Sequence, residues 1–389
     1  MSNDKPTDES VFLDEAEPTQ GPKHGFFERL YTGTGGFPIV SRRKFFYGVA
    51  AALLLISLLS IGIRGFTLGI DFAGGSRIQV PAADVTTQQV EDTYATTLGH
   101  GPVSVQKVGS GDSATIQVRS ETLDKDQSAQ VQESLRQLLS TESGTEASID
   151  AISIAEISET WGGQITQKAL IALVVFVLLT MIYIAIRFER DMSVAAIVSL
   201  FFNLIVTAGI YSLVGFEVTP AAVIGLLTIL GYVLYDNVVV FDKVEENTRG
   251  VLHLNKRTYA EQANLAANQT LMRSISTTVI GILPIIGMLV IAVWLLGVGT
   301  LKDLALVQLV GMIVGAYSSI FLAVPVLVSI KERWGPVAAH TKKVLAKRAA
   351  GDTRVPVSAG TGAARAPRSG NTGAPRPGAR PSGKRQRRH

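Results

Sequence analysis

Two residues set in apolar sequence could handle a proton. Asp236 lies in the apolar segment Gly231–Phe241, and Arg273 directly precedes the apolar run 274–301. Burial in an apolar environment disfavours the charged form of a carboxyl group, whereas a nearby cation favours it. A carboxyl group whose cationic neighbour can move could therefore take up and release a proton, so we predict that Asp236 and Arg273 form a proton pathway. A static salt bridge or hydrogen bond at Asp236 fits the same residue types equally well.

Other reactive residue types are scarce or scattered. The 389-residue chain has no cysteine, and its five histidines lie far apart and outside the apolar runs. We find no second acidic residue within the apolar runs and no G-x-S-x-G sequence. These observations argue against an aspartyl dyad, a zinc or thiolate site and a serine hydrolase. We expect no enzymatic activity, no bound metal and no cofactor.

Six apolar runs must position these residues. Hydrophobic residues make up 47% of the chain and charged residues only 17%, against about 25% charged in a typical globular domain. About 20 apolar residues cross a hydrocarbon core about 30 Å thick as a helix, and each run is close to this length or longer. We therefore predict a multi-pass α-helical membrane protein. Its six transmembrane helices are expected at residues 41–64, 168–187, 192–216, 218–241, 273–298 and 303–330.

Basic residues beside the runs indicate the orientation. Arg42–Lys44 precede the first run, and further basic residues lie between the second and third runs and between the fourth and fifth. Residues 341–389 alone carry 13 basic side chains and one acid. Because cytoplasmic loops are enriched in Lys and Arg, both termini are predicted to be cytoplasmic. Segments 1–40 and 333–389 are predicted to be disordered, since they contain few large apolar residues.

Residues 65–167 separate the first two runs and fall on the opposite side of the membrane. Alternating apolar residues predict strands, and Thr86 with Gln89 has the sequence of a capping box at the start of a helix. Strands are expected at 77–80, 103–105, 114–118 and 149–157, with helices from 86 and from 123 to 140. The resulting β-α-β-β-α-β order is that of an α+β ferredoxin-like domain. This external domain is expected to bind or to move rather than to catalyse, because it has no cluster of histidine and carboxylate residues.

Three motifs resemble those of a known family. Gly69–Gly75 reads GIDFAGG, Tyr235–Lys243 reads YDNVVVFDK, and Gln269–Ser274 reads QTLMRS. In this order, and with one external domain after the first span, they are similar to the motifs of SecF. SecF proteins are protein-translocase subunits of the SecD/SecF family, in the resistance-nodulation-division superfamily. The resemblance covers roughly residues 40–332 and reaches neither tail.

The resemblance implies roles for particular residues. In SecF the intramembrane Asp and the Arg of the QTLxR motif are linked to proton conduction, and they match Asp236 and Arg273. Three positions depart from the family pattern, namely Tyr235 (usually Asn), Asn237 (usually a hydroxyl residue) and Lys243 (usually Arg). These departures leave the acid and the arginine in place. The other motif and coupling residues are expected to be Gly69, Asp71, Gly74, Gly75, Asn237, Asp242 and Asn247.

The resemblance also implies a location and partners. SecF pairs with SecD in a twelve-helix unit of the bacterial cytoplasmic (inner) membrane, which associates with the SecYEG channel and SecA. The unit uses the proton gradient, without a cofactor, to promote late translocation of an unfolded polypeptide. One charge crossing about 100 mV is worth roughly 2.3 kcal/mol, which is enough to bias a movement of the external domain.

Two other functions fit the same residues. A half-size proton-driven exporter of lipids or drugs from the same superfamily would share the intramembrane acid and the external domain. A non-transporting membrane scaffold would use the intramembrane charges only for assembly. Co-purification with SecD and SecYEG separates the first alternative from protein export, and proton uptake into vesicles separates the second.

Overall fold

The computed structural model describes residues 37–352, apart from 83–84, 144–147, 254–255, 298 and 334. The predictions of disorder for residues 1–36 and 353–389 lie outside the described residues. In chain order the elements are α1 (Arg43–Arg64), β1 (Thr67–Leu68), α2 (Ile70–Ala73), β2 (Gly75–Pro81), α3 (Thr87–Leu98), β3 (Ser104–Val108), β4 (Thr115–Ser120), α4 (Lys125–Ser143), β5 (Ser153–Ile157), α5 (Glu159–Arg187), α6 (Arg190–Val214), β6 (Glu217–Val218), α7 (Pro220–Thr248), α8 (Tyr259–Gly287), α9 (Gly299–Tyr317), α10 (Val324–Arg333) and α11 (Pro336–Asp352). Helix α8 continues as a π-helical segment, Met288–Leu295, and a second π-helical segment, Ser318–Ala323, joins α9 to α10.

Six helices of the described chain are long and apolar enough to cross a membrane. They are α1, α5, α6, α7, α8 with its π-helical segment, and the continuous helix from α9 to α10. The prediction of a multi-pass membrane protein with six spans is confirmed. Helix α6 and the α9–α10 helix form the centre of the bundle, because 56% and 61% of their most apolar 18 residues are buried, against 11% for α5.

Several helices extend beyond the predicted spans. Helix α5 begins at Glu159 rather than residue 168, α7 ends at Thr248 rather than 241, and α8 begins at Tyr259 rather than 273. At the start of α8, Thr258 and Glu261 form a reciprocal capping box with nitrogen-to-oxygen distances of 2.9 and 3.2 Å. Polar residues can continue the same backbone hydrogen bonds outside the membrane. The apolar runs therefore locate the spans but not the helix ends.

Two segments that were predicted to be disordered are folded. Phe37–Val40 pack against the bundle, where Ile39 is 1% exposed. The Asn268 side chain holds this segment by accepting from Phe37 N (2.8 Å) and donating to Phe37 O (3.0 Å). Pro336–Asp352 form α11, because proline fits the first helical turn and Ala, Lys and Arg favour helix even where large apolar residues are few. The prediction of disorder is wrong for these two segments.

Residues 75–157 form a four-stranded sheet covered by two helices (the sheet domain). Strand β2 pairs antiparallel with β4 and with β5, and β3 pairs antiparallel with β4, in the order β3-β4-β2-β5. Helices α3 and α4 pack on one face, where side chains such as Ile78 and Ile116 have no exposed surface. The elements follow one another in the predicted β-α-β-β-α-β order.

Two local predictions in the sheet domain have different outcomes. The capping box of Thr86 and Gln89 is present and begins α3. The last strand, however, begins at Ser153 rather than at residue 149, because Ile149–Ala151 form a single 3-10 turn. The apolar side chains of that turn mimic the alternation of a strand in the sequence.

Three contacts join the sheet domain and the segment before it, residues 67–73, to one end of the membrane-spanning bundle. Strand β1 pairs in parallel with β6, which ties the chain after α1 to the loop between α6 and α7. Helix α2 packs against α5. The hairpin between β3 and β4 reaches the end of the first π-helical segment, where the hydroxyls of Ser110 and Ser113 donate to the carbonyls of Trp294 (2.9 Å) and Leu295. Together these contacts involve five of the six spans, namely α1, α5, α6, α7 and α8.

Candidate functional site

The carboxyl group of Asp236 is buried inside the bundle. Asp236 lies on α7 and is 3% exposed. The Ser274 hydroxyl oxygen, on α8, lies 2.8 Å from Oδ1 and 2.7 Å from Oδ2, and the Ser319 hydroxyl donates to Oδ2. Three helical elements therefore converge on one carboxyl group.

The second π-helical segment positions one of these hydroxyls. Ser318 and Ser319 begin this segment and are both fully buried. A π-helical turn holds an extra residue and so changes the direction in which the following side chains point, a feature frequent at functional sites. Neither serine could be recognised from the sequence, since two hydroxyl residues in an apolar run are also common packing residues.

Hydroxyl partners suit both protonation states of a carboxyl group. The hydroxyl of Ser274 or Ser319 can donate to an ionised carboxylate, or rotate and accept a hydrogen bond from a neutral carboxylic acid. A cation would favour only the ionised state. The two serine hydroxyls can therefore hydrogen-bond to Asp236 in either state of its carboxyl group.

Arg273 does not contact Asp236. Its side chain is exposed, and the ion pairs of the described chain do not join it to Asp236. An α-helix has 3.6 residues per turn, so neighbouring residues point in different directions. Because Ser274 faces Asp236, Arg273 lies on the outer surface of α8. The predicted contact between the two charged side chains is not observed, and hydroxyl groups take its place.

Asn237 faces a different neighbour from that of Asp236. Its side chain is 1% exposed and exchanges long hydrogen bonds of 3.4 and 3.5 Å with Ser199 on α6. The motif residues Asp236 and Asn237 thus connect α7 to three other elements: α6, α8 and the second π-helical segment.

Asp242 and Asn247 hold the end of α7. Asp242 accepts a hydrogen bond of 2.7 Å from Arg187 at the end of α5, and Asn247 donates one of 2.9 Å to Gln269 on α8. Asp242 lies six residues beyond Asp236, or about 9 Å along the helix axis. The structure therefore places these two motif residues near the site without bringing them into it.

The glycines of the first motif form a tight turn at the sheet-domain end of the bundle. Gly74 and Gly75 have φ angles of +77° and +124°, which residues other than glycine rarely adopt. A Cβ atom on Gly75 would also lie 2.5 Å from the carbonyl oxygen of Ser120. The chain can thus turn from α2 into β2 only with glycine at these positions.

Gly69 and Asp71 connect the same motif to its surroundings. The backbone N–H of Gly69 donates to Val218 O at 2.8 Å, next to the paired strands β1 and β6. One carboxylate oxygen of Asp71 lies 3.6 Å from an Arg77 guanidinium nitrogen on β2. The motif therefore contacts both the α6–α7 loop and the sheet domain, far from Asp236.

A second acid, which the sequence pattern does not reveal, is buried at the end of the bundle next to the sheet domain. Asp303, near the start of α9, is 8% exposed and lines a cavity of about 230 Å³ together with Glu217, Thr219 and Lys302. It was overlooked because the charged pair formed by Lys302 and Asp303 separates two apolar runs and has the pattern of a loop. Asp303 thus lies between the two apolar runs rather than within one.

Comparisons with known proteins agree with this arrangement. The family model described as "Protein export membrane protein SecD/SecF, C-terminal" matches residues 137–333, and the model "SecD/SecF GG Motif" matches residues 59–83. The chain is 57% identical to protein translocase subunit SecF of Mycobacterium tuberculosis (strain H37Rv) over 330 residues, which cover 84% of this chain and 74% of that protein.

Two solved structures share the fold. The crystal structure of SecDF from Thermus thermophilus, described as a translocon-associated membrane protein, matches with a TM-score of 0.64 and 27% identity, over 76% of this chain and 39% of that one. SecDF in its super-membrane-facing form matches with a TM-score of 0.53 and 29% identity, over 79% and 40%. The chain spans about two fifths of the length of these SecDF chains.

The six spans and the matching family models define a multi-pass membrane protein of the SecD/SecF export type. With a matching family model over half of its residues and a relative of 57% identity, the chain belongs to the SecF family of protein-translocase subunits. It is accordingly a transport subunit and not a catalytic enzyme.

Proposed function

We propose that the protein is an accessory subunit of the bacterial Sec export machinery. Together with SecD it would use the proton gradient to promote late polypeptide translocation across the cytoplasmic membrane. The observation that carries this proposal is the buried carboxyl group of Asp236 with hydroxyl partners on two other elements. An ionisable group inside a membrane protein is costly and commonly marks a proton pathway.

Protonation of Asp236 would change how three helices are held together. Hydrogen bonds to a charged group contribute about 1.5–3 kcal/mol, and bonds between neutral groups about 0.5–1.5 kcal/mol. One charge crossing 100 mV supplies roughly 2.3 kcal/mol, which is comparable with the difference. A proton taken up at Asp236 could therefore shift the balance between two arrangements of α7, α8 and the second π-helical segment.

The position of Arg273 supports assembly with SecD. A charged side chain on the lipid-facing surface of a spanning helix is costly. Arg273 is exposed at the depth of Asp236, because the adjacent residue Ser274 contacts that acid. We infer that helices of SecD cover this surface of α8, supply a partner for Arg273 and complete a twelve-helix unit. In this arrangement Arg273 would act on the proton pathway from the subunit interface rather than by direct contact with Asp236.

We also infer that the sheet domain is external and ferredoxin-like and that both termini are cytoplasmic. The β-α-β-β-α-β connectivity and the antiparallel order β3-β4-β2-β5 support the ferredoxin-like classification. The basic residues beside the spans support the orientation, since they fall at the end of the bundle opposite to the sheet domain.

The sheet domain would transmit the movement to the exported chain. Residues Gly69–Gly75 connect α1 and the α6–α7 loop to strand β2, so that a shift of the spans would reorient the sheet. An unfolded polypeptide that leaves SecYEG, driven by SecA, could then be pulled or kept from sliding back. Asp242 and Asn247 would hold the cytoplasmic end of α7 during this movement.

The test is export into membrane vesicles that contain the full chain, SecD and the SecYEG channel with SecA. Asp236→Asn cannot ionise, so we expect it to remove the stimulation of export by a proton gradient, while Asp236→Glu keeps part of it. Glu245→Gln, the same kind of change at a half-exposed position of α7, is the matched control and should export normally.

Two results would contradict the proposal. Full gradient-stimulated export by Asp236→Asn would show that the carboxyl group is not part of the motor. Purification of the chain without SecD or the channel, combined with proton-coupled efflux of a lipid or drug, would favour a half-size exporter. A chain that assembles with SecD but takes up no protons in vesicles would be a scaffold.

A further inference from the structure

Four polar residues of α6 form one buried line along the centre of the bundle. Ser199, Asn203, Thr207 and Tyr211 are spaced four residues apart, and they are 0%, 0%, 1% and 4% exposed. Residues at this spacing share one face of a helix, which we call the polar face of α6. Buried polar groups are costly unless they are hydrogen-bonded, so an apolar bundle centre would be the cheaper way to pack these helices.

One end of the polar face lies beside the proton site. Ser199 exchanges hydrogen bonds with Asn237, at 3.4 and 3.5 Å. Asn237 is the neighbour of Asp236 in the sequence. This end of the polar face therefore contacts the turn of α7 that carries Asp236.

The other end reaches the second buried acid. The Tyr211 hydroxyl donates to the backbone carbonyl of Asp303 at 2.9 Å. From Ser199 to Tyr211 the line runs about 18 Å along the helix axis. It thus crosses more than half of a hydrocarbon core about 30 Å thick.

In the middle of the line, two glycines of α9 make room for the Asn203 side chain. The Asn203 side chain donates to the carbonyl of Gly311 at 3.1 Å and accepts from the Thr207 hydroxyl at 3.3 Å. A Cβ atom on Gly315 would lie 3.1 Å from the Asn203 amide nitrogen and 2.6 Å from a Val233 methyl carbon. The absence of side chains on α9 thus leaves room for the Asn203 amide.

The cavity at Asp303 is lined by charged groups from the sheet domain and from α2, β6 and α9. It lies between the sheet and the ends of the spans, where water can enter. Its charged lining residues are Asp71, Arg77, Arg119, Glu217 and Lys302. Three cations and, with Asp303, three acids face the same space, so a carboxyl group there can exchange a proton with water in a polar surrounding.

We infer that the polar face of α6 is the path along which protons travel from the cavity at Asp303 to Asp236. The inference rests on the proposed function, because it supplies the route to the carboxyl group that drives export. A proton from the external side binds the Asp303 carboxylate. It then leaves through a file of water molecules that the hydroxyl and amide groups orient, and it binds the Asp236 carboxylate. Only the two carboxyl groups change protonation, while the side chains of α6 donate and accept hydrogen bonds.

The test is proton uptake into vesicles that hold the full chain with SecD, with the sheet domain facing an acidified outside solution. Thr207→Val keeps the side-chain shape but removes the hydroxyl, and Asp303→Asn removes the ionisable group. We expect each change to slow uptake by at least about tenfold, as for loss of a positioned proton-transfer group. Thr228→Val is the matched control, since Thr228 is exposed on α7 and bonds only to the carbonyl of Ile224 in its own helix.

The dependence of uptake on the outside pH separates a pathway from a packing role. If Asp303 is the entry group, the uptake rate of the Asp303→Asn variant should no longer vary with outside pH in the range where the Asp303 carboxyl group titrates. The Asp303→Glu variant should restore that pH dependence. A packing defect would instead lower the rate by the same factor at every pH. Uptake by both Thr207→Val and Asp303→Asn at the control rate, with an unchanged pH profile, would overturn the inference.

Asp236→Asn, measured in the same vesicles, distinguishes this inference from the proposed function. If it abolishes uptake while Thr207→Val and Asp303→Asn do not slow it, Asp236 is the proton site and the route is elsewhere. If vesicles with the Asp236→Asn variant take up protons normally, the proposed function fails. The inferred path then fails with it, because Asp236 would not be the group that receives the protons.

Discussion

The sheet domain and the membrane bundle use their interiors differently. Most of the innermost side chains of the sheet are apolar, and Ile78, Val80, Ile116 and Val118 have no exposed surface. The interior of the bundle contains Asn203 and Asp236 at the same level of burial. An apolar core needs only complementary shapes, whereas each buried polar group also needs a partner. The comparison indicates that apolar packing dominates in the sheet domain, whereas the bundle interior keeps hydrogen-bonded polar groups, which our proposal uses for proton transfer.

The largest effect on stability is expected in the sheet domain. Ile116→Ala removes a fully buried side chain from β4, and such changes cost about 2–5 kcal/mol. Amide hydrogen exchange of β2 and β4 in the full chain would measure the loss. Val103→Ala, at a side chain that is 58% exposed, should change exchange little. Equal responses of the two variants would contradict the assignment of Ile116 to a tightly packed apolar core.

A smaller effect is expected where helices of the bundle approach closely. Gly315→Ala places a methyl group 2.6 Å from a Val233 methyl carbon, and such overpacking costs about 1–3 kcal/mol. Gly231→Ala makes the same change where no atom lies within 4 Å of the new methyl group. It should be neutral or stabilising, because Ala favours a helix over Gly by up to about 1 kcal/mol. Thermal unfolding in detergent would show shifts of opposite sign, and a shared direction would contradict the packing argument.

Removal of a buried polar group from the bundle should affect stability still less. Asn203→Leu deletes hydrogen bonds to Gly311 and Thr207, and hydrogen bonds between membrane helices average about 0.6 kcal/mol. We expect a loss of about 1 kcal/mol or less in thermal unfolding, together with slow proton uptake. A large loss of stability would instead assign Asn203 to packing, as an ordinary intramembrane amide.

The smallest effect is expected on the surface of the sheet domain. Hydrogen bonds from Arg136 and Gln137 lower the pKa of Glu133 from 4.5 to about 2. A lowered pKa in the folded state means that the ionised form stabilises the fold above about pH 4.5 and that this contribution fades as the pH falls toward 2. Hydrogen exchange in α4 should therefore differ slightly between the wild type and Glu133→Gln at pH 5, and the difference should vanish near pH 2. A difference that persists near pH 2 would contradict the assignment.

Element types could be predicted from the sequence because they depend on local patterns. Six apolar runs of sufficient length indicated six spans, and the capping residues Thr86 and Gln89 indicated the start of α3. Helix ends and the fold of Phe37–Val40 could not be predicted. They depend on contacts with distant residues, such as the hydrogen bonds of Asn268.

The candidate site could be predicted only in part. Asp236 was recognisable because an acid is rare in an apolar run. Its partners were not, since Arg273 and Ser274 are neighbours and only the rotation of α8 decides which of them faces the acid. Ser319 depends on a π-helical segment that has no simple pattern, and Asp303 was hidden between two apolar runs.

The contact between the sheet hairpin and α8 has a mechanical consequence. Ser274, near the middle of α8, hydrogen-bonds to Asp236. The carbonyls of Trp294 and Leu295, which accept hydrogen bonds from the hairpin, lie at the end of the π-helical segment that continues α8. About 30 Å separates the two points. A rotation or translation of this helix would therefore move both contacts at once. A polypeptide bound by the sheet domain would then be displaced directly, without any intermediate structural element.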